Sequence, residues 1–276
     1  MQEKIIKKKR YSQIDILRGL FFIPMFIFHL FSMYDLTNNF NTNLTSNKLL
    51  SFIGNVRDLY ILLAGYSVYL SYQSYKESNK KSNKKSNIID FIKYRLSRSG
   101  TIAIHALLIT AVSHYLYPNF GIKFGILHFI AVGTLILAPI TALDSPAITF
   151  IIGAIWLYIT SNNLIPLALG HSSFGTINPF RGWKPFGLDL PFSNEVINTI
   201  TGKFIHYNMA DYFPLNKKLI LLICGLFLAQ VIHPKLKPTK NDKTSVLEEM
   251  GKYSLELYTS HFIIIMITYY ILKNKI

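Results

Sequence analysis

Apolar residues along this chain gather into seven long blocks, 14–34, 49–72, 101–117, 122–143, 146–160, 217–233 and 254–272. Each approaches the roughly 20 residues that a helix needs to cross a bilayer, with 146–160 the shortest. The pattern predicts an all-α, polytopic transmembrane bundle of about seven spanning helices in a single domain, 1–276. The segments between the blocks differ in kind. Lys80-Lys81-Ser82-Asn83-Lys84-Lys85-Ser86-Asn87 is low-complexity and polar, reading as a solvated linker within a basic loop, 73–100. A second basic loop is expected at 234–253. By contrast, 161–216 is rich in Pro, Gly and aromatics, as in Pro179-Phe180-Arg181-Gly182-Trp183-Lys184-Pro185-Phe186-Gly187. It reads as an ordered cap over a cavity, because long loops with such content are usually functional. No internal repeat is visible, which weighs against a transporter built from inverted halves.

Composition fits this picture. Half the residues are hydrophobic, only 16% are charged, and the mean hydropathy is +0.29, too apolar for a soluble domain. The formal charge of +15 raises nucleic acid as a partner, but the basic residues crowd into the short segments between apolar blocks, as membrane topology requires. With the N-terminus in the cytoplasm, 18 of the 29 Lys and Arg fall inside: five before the first helix, eight in 73–100 and five in 234–253. That orientation puts the C-terminus and the 161–216 cap outside, suggests a plasma membrane, and makes the inner loops contact points for anionic lipid. The opening stretch through Arg10 is basic like the start of a signal peptide. The apolar block that follows is longer than a signal core and contains charges, so it reads as a retained helix. The single cysteine, Cys224, excludes a disulfide framework and a thiol redox pair. Homo-oligomerisation is compatible with the sequence.

Charges within apolar blocks are the most informative residues, since each costs about 2.5–3.5 kcal/mol at a helix centre unless it finds a partner or a wet cavity. Asp15 and Arg18 lie three apart on one helical turn, followed by Gly19, which permits close approach of another backbone. His29 comes eleven residues after Arg18, which returns it to within about 20° of the same face and ~16 Å along the axis. One face of one helix thus carries a cation near the inside and an imidazole near the outside. Pairing of Asp15 with Arg18, and a hydrogen bond from His29 to a neighbouring helix, are sufficient structural explanations for an isolated case. The outer ends of other blocks supply further polar groups: Asp35, Arg57, Asp58, His128 and Asp211. An imidazole converging with carboxylates would form a general base with an orienting partner, able to take a proton from an acceptor hydroxyl or amine. Arg57 and Asp58 could equally be a structural pair. His105, His114 and His261 lie within blocks without a distinctive pattern. No His-x-x-x-His or comparable ligand spacing occurs, so no metal is expected. Nucleophile-elbow, phosphate-loop and dinucleotide motifs are missing too.

Ile14-Asp15-Ile16-Leu17-Arg18-Gly19-Leu20, running on to Met25-Phe26-Ile27-Phe28-His29, resembles the opening of the heparan-alpha-glucosaminide N-acetyltransferase catalytic-domain family. Three further segments resemble the family in the same order: Phe124-Gly125-Ile126-Leu127-His128-Phe129-Ile130-Ala131-Val132-Gly133, Asp211-Tyr212-Phe213-Pro214-Leu215, and Gly251-Lys252-Tyr253-Ser254-Leu255-Glu256-Leu257-Tyr258-Thr259-Ser260-His261. The third of these four resembles small prokaryotic members in particular.

The resemblance implies a membrane enzyme that takes acetyl-CoA, or another acyl-CoA, from the cytoplasm and modifies a glycan or glycolipid on the far side. Asp15 and Arg18 would belong to the donor entrance, with Arg18 on the CoA phosphates or carbonyls. Arg57 and Asp58 stand beside them as donor-binding candidates. His29 matches the catalytic or acceptor-positioning residue of the first helix, with Asp35, His128 and Asp211 as the other catalytic candidates. Two rival expectations compete: a transporter of an anionic metabolite using Arg18 and Arg57, and an inactive membrane scaffold.

Overall fold

The computed structural model describes residues 11–37, 47–83, 87–116, 122, 125–161, 196–197, 204–205, 215–233 and 245–275. In chain order the helices are α1 (Ser12–Thr37), α2 (Asn47–Lys81), α3 (Ile88–Leu116), α4 (Ile126–Ala142), α5 (Pro146–Ser161), α6 (Leu215–Ile232), α7 (Val246–Lys252) and α8 (Ser254–Lys275). Between α5 and α6, Val196–Ile197 and Phe204–Ile205 pair as a two-residue antiparallel ladder. Among the described residues everything else regular is helical, as the apolar blocks predict. The expected 161–216 cap otherwise lies almost wholly outside the described residues.

Contacts at the helix ends show that the long helices run back and forth between two ends of one bundle. At the first end, Tyr11 Oη lies 3.1 Å from His233 Nε2, joining the start of α1 to the end of α6. There too Lys76 Nζ donates to Asp144 Oδ2 at 2.8 Å, joining the end of α2 to the α4–α5 turn. At the opposite end Lys218 pairs with Asp58 at 2.8 Å, Thr110 meets His128, and Tyr34 packs edge-on to Tyr269. The residues beside the basic N-terminal segment and beside both expected basic inner loops therefore meet at the first end.

The stretch 73–100 departs from the expected loop. α2 continues to Lys81 and α3 begins at Ile88, so helix occupies most of this stretch. The low-complexity tract contains its own stop and start signals. Asn83 takes a positive φ of 53°, which Asn tolerates after a helix end, and the Asn87 Oδ1 accepts from the Ile89 N–H at 3.0 Å as α3 starts. In 234–253 a further helix, α7, forms because Ser245 caps it. The Ser245 Oγ accepts from the Glu248 N–H at 3.1 Å, and Glu248 and Glu249 complement the helix dipole.

Ser12–Tyr34, Ile88–Leu116 and Ser254–Lys273 are long and apolar enough to cross a membrane; Ile126–Ala142, Pro146–Ser161 and Lys218–Ile232 are apolar but shorter. α2, at 35 residues, is long but interrupted by Arg57, Asp58 and a run of serines. Large apolar side chains remain exposed on the outer faces, among them Leu20, Ile23 and Ile27 of α1, Ile104 and Leu107 of α3, Phe150 and Ile151 of α5, and Ile264 of α8. In water such bands would drive aggregation; against lipid they cost nothing. The interior is filled by Ile61, Phe91, Phe129, Leu137, Leu222 and Leu226, all essentially inaccessible.

Two helix contacts are closer than side chains normally allow. α7 lies on α1 with Gly19 against the Leu247 carbonyl and Gly251 against the Asp15 carbonyl. α2 lies on α6 in the same reciprocal way, Gly65 on Leu222 and Gly225 on Leu62. Small residues at such crossings let backbones approach and gain van der Waals contact where lipid removes the hydrophobic drive for helix association. Gly19 thus does what its place after Arg18 suggests.

Candidate functional site

The α1–α7 contact holds the first turn of α1 at the rim of a cavity of about 510 Å³ that runs from the first end of the bundle inward along α2 to Tyr60 and along α4 to Leu127, a size that suits a small-molecule ligand. α1 contributes Asp15 and Arg18, α2 the stripe Ser67, Ser71 and Ser74, and α3 Arg95 and Arg98; Lys252 closes the α7 side. Arg18 is fixed at two points. Its Nη1 donates to Asp15 Oδ1 at 2.8 Å and its Nη2 donates to Ser67 Oγ, which in turn donates to the Leu63 carbonyl at 2.6 Å. Asp15 is buried and Arg18 half-buried, so this arrangement places a partly desolvated ion pair at the cavity wall.

Charge in the cavity is unbalanced. Among the described residues four cationic side chains line it against one carboxylate, Asp15, which Arg18 already engages. Lys252 makes a long, exposed contact with Glu249 at 3.4 Å and lies over the Tyr253 ring, 4.9 Å from its centre. Arg98 lies over the Tyr94 ring, 5.4 Å from its centre. Arg95 is 6% exposed, and its Nε has no hydrogen-bond partner among the described residues. The Ser71 hydroxyl is in the same condition. Buried polar groups left unpaired are rare, and those in native structures call for an explanation such as a ligand.

His29 lies elsewhere. It is buried between α1 and α8 and does not line the cavity. Its Nδ1 is 2.9 Å from Nε2 of His261, the rings are near-parallel at 5.2 Å, and Nδ1 of His261 is 2.8 Å from the Leu257 carbonyl. Phe22, Tyr258 and Phe262 surround the pair. α8 links the two regions, since Ser254 and Leu255 line the cavity and His261 follows less than two turns on, about 9 Å by helical rise. His105 bridges the gap from α3, with Nδ1 3.0 Å from Thr259 Oγ1.

The other sequence candidates fall into separate places. Arg57 and Asp58 sit toward the opposite end of the bundle and do not line the cavity, whose wall on α2 ends at Tyr60. There Asp58 accepts from Lys218 at 2.8 Å and Arg57 Nε lies 3.9 Å from Asp58. His128 Nδ1 accepts from the Gly125 N–H at 3.2 Å, and Nε2 is 3.2 Å from Thr110 Oγ1, so the imidazole ties the start of α4 to the end of α3. Asp35 is in the last turn of α1, and Asp211 lies outside the described residues. Among the described residues no group of three His, Cys, Asp or Glu side chains could hold a metal ion.

Sequence reasoning missed Arg95, Arg98, Lys252 and His261 as site residues. The first three were counted as topological charge. Their signal was the Asn87 cap, which starts α3 early enough to bring Arg95 and Arg98 onto a helix at i, i+3 spacing. His261 gave no signal of this kind, because only the packing of α8 on α1 brings it to His29.

A helical bundle with apolar outer faces, a cationic cavity and a hydrogen-bonded histidine pair beyond it fits a membrane protein. Residues 10–263 match the family described as Heparan-alpha-glucosaminide N-acetyltransferase, catalytic. The match spans nearly the whole chain, and the protein belongs to this family of membrane acetyltransferases. No curated protein and no solved structure matches it.

Proposed function

We propose that this protein transfers an acetyl, or other short acyl, group from cytoplasmic acyl-CoA to a glycan or glycolipid acceptor on the far side of the membrane. In this reading all seven long helices span, the N-terminus is cytoplasmic, and the cavity faces the cytoplasm of a plasma-membrane protein. The meeting of the basic segments at the cavity end supports that orientation. Anionic lipid headgroups would sit on the same segments.

The observation that carries the proposal is the cavity with four cations and one carboxylate, in which the Nε of buried Arg95 has no partner among the described residues. CoA phosphates would supply the missing acceptors, with Arg18 and Arg95 binding as charge-assisted forks and Arg98 and Lys252 at the mouth. The serine stripe of α2 offers neutral hydrogen bonds to the pantetheine amides. The thioester would then extend along α8 toward His29. There the acceptor oxygen or nitrogen attacks the acyl carbon while His29 takes the acceptor proton, and the C–S bond breaks to release CoA thiolate, which is then protonated. Asp35 and Asp211 are assigned to the acceptor side.

The test is calorimetric titration of purified protein with acetyl-CoA, paired with mass-spectrometric detection of acetylated glucosaminide. The expected result is binding that weakens about 10- to 100-fold in Arg95→Gln, as loss of a charged hydrogen bond entails. Binding indifferent to both Arg95→Gln and Arg18→Gln would refute the reading. Uptake of an anionic metabolite into proteoliposomes without acyl transfer would replace it with the transporter.

A further inference from the structure

The histidine pair has a direction. Leu257 presents a carbonyl, which can only accept, so the 2.8 Å contact requires the proton on Nδ1 of His261. A neutral His261 then has a bare Nε2, and the 2.9 Å contact with His29 is satisfied only if His29 Nδ1 carries a proton and donates. Nε2 of His29 is thereby left as the unprotonated nitrogen. The alternative, with both nitrogens of His261 protonated, would bury an imidazolium among Phe22, Tyr258 and Phe262 with no carboxylate in contact among the described residues.

We infer that His261 is a positioning residue, which holds His29 in the Nδ1–H tautomer and so keeps its Nε2 lone pair available as the base for acyl transfer. The inference rests on the acyl-transfer reading for its purpose and on the Leu257–His261–His29 chain for its structure. When Nε2 of His29 gains the acceptor proton, the new positive charge is shared through Nδ1–H to His261 and on to the Leu257 carbonyl. A base oriented by a third group is the general logic of such chains. Here a second imidazole and a helix carbonyl occupy the place usually held by a carboxylate. Thr259, bonded to His105 and donating to Leu255, stiffens the same turn of α8.

The experiment uses the full chain in nanodiscs with ¹⁵N-labelled histidine, His29 being assigned by the signal lost in His29→Ala. In the wild type Nε2 of His29 should resonate as an unprotonated nitrogen. His261→Gln keeps an acceptor near the former Nε2 and should preserve both that signal and kcat within about tenfold. His261→Leu removes the acceptor and should mix the tautomers, with kcat lower by about 100-fold and KM for acetyl-CoA unchanged, a loss on the scale of general-base catalysis. A protonated Nε2 in the wild type overturns the inference, as does an unchanged His29 spectrum in a His261→Leu protein that retains the wild-type thermal transition. If the tautomers behave as expected and the wild type transfers no acyl group, the positioning stands and the acyl-transfer reading falls.

Discussion

Gly251 of α7 rests directly on the backbone carbonyl of Asp15 in α1. That contact seats the carboxylate which holds Arg18 at the cavity wall. A methyl group at 251 would be driven into a backbone atom, which cannot rotate away. Gly251→Ala should destabilise the protein by about 1–3 kcal/mol, the range for overpacking, and weaken acetyl-CoA binding with it. Gly100→Ala is the control: nothing lies near its Cβ position in α3, so it should be neutral or stabilising by up to about 1 kcal/mol. Thermal unfolding in detergent separates the two.

Arg95→Gln should split binding from stability. A buried cation held by neighbours would destabilise the fold when removed. Arg95, with no carboxylate partner among the described residues and an orphaned Nε, should leave the ligand-free protein at least as stable as the wild type, since a poorly compensated buried charge is unfavourable. Acetyl-CoA affinity should fall in the same variant. A drop in the melting temperature of the ligand-free protein, with affinity intact, would make Arg95 structural.

Asp58 and Lys218 should couple to each other and not to the cavity. Their side chains are 32% and 24% exposed, so solvent screens the pair, and a double-mutant cycle should return about 1 kcal/mol or less. Acetyl-CoA titration of Asp58→Asn should match the wild type, because neither Asp58 nor Lys218 lines the cavity.

His128→Ala should cost stability before activity. The imidazole receives the Gly125 N–H and meets Thr110, and loss of a helix-start acceptor is worth about 1 kcal/mol. Activity per folded molecule should stay within a few fold. His29→Ala, by contrast, should abolish turnover while acetyl-CoA still binds, because the cavity lining does not include His29. Rate and calorimetry on the same preparations decide between the two histidines.

The seven apolar blocks, the charge asymmetry and the Asp15–Arg18–Gly19 turn were legible in the chain because they depend on local quantities: length of apolar run, charge between runs, and i, i+3 spacing. Caps such as Asn87 and Ser245 were legible in principle for the same reason, and they explain why helix occupies much of 73–100 and part of 234–253. Packing alone decided which charges share a space. Arg95 and Arg98 belong to the cavity because α3 packs on α4 and α8 there, while Arg57 and Asp58, on the helix that carries the serine stripe, do not line it. His29 and His261 are 232 residues apart, and no local rule relates them; their hydrogen bond exists because α8 packs along α1 in one register. Sequence therefore determined what enters the bilayer and where the charges lie along it. Tertiary structure decided which polar groups face one another, since that depends on helix rotation and register set by close contacts such as Gly251 on Asp15.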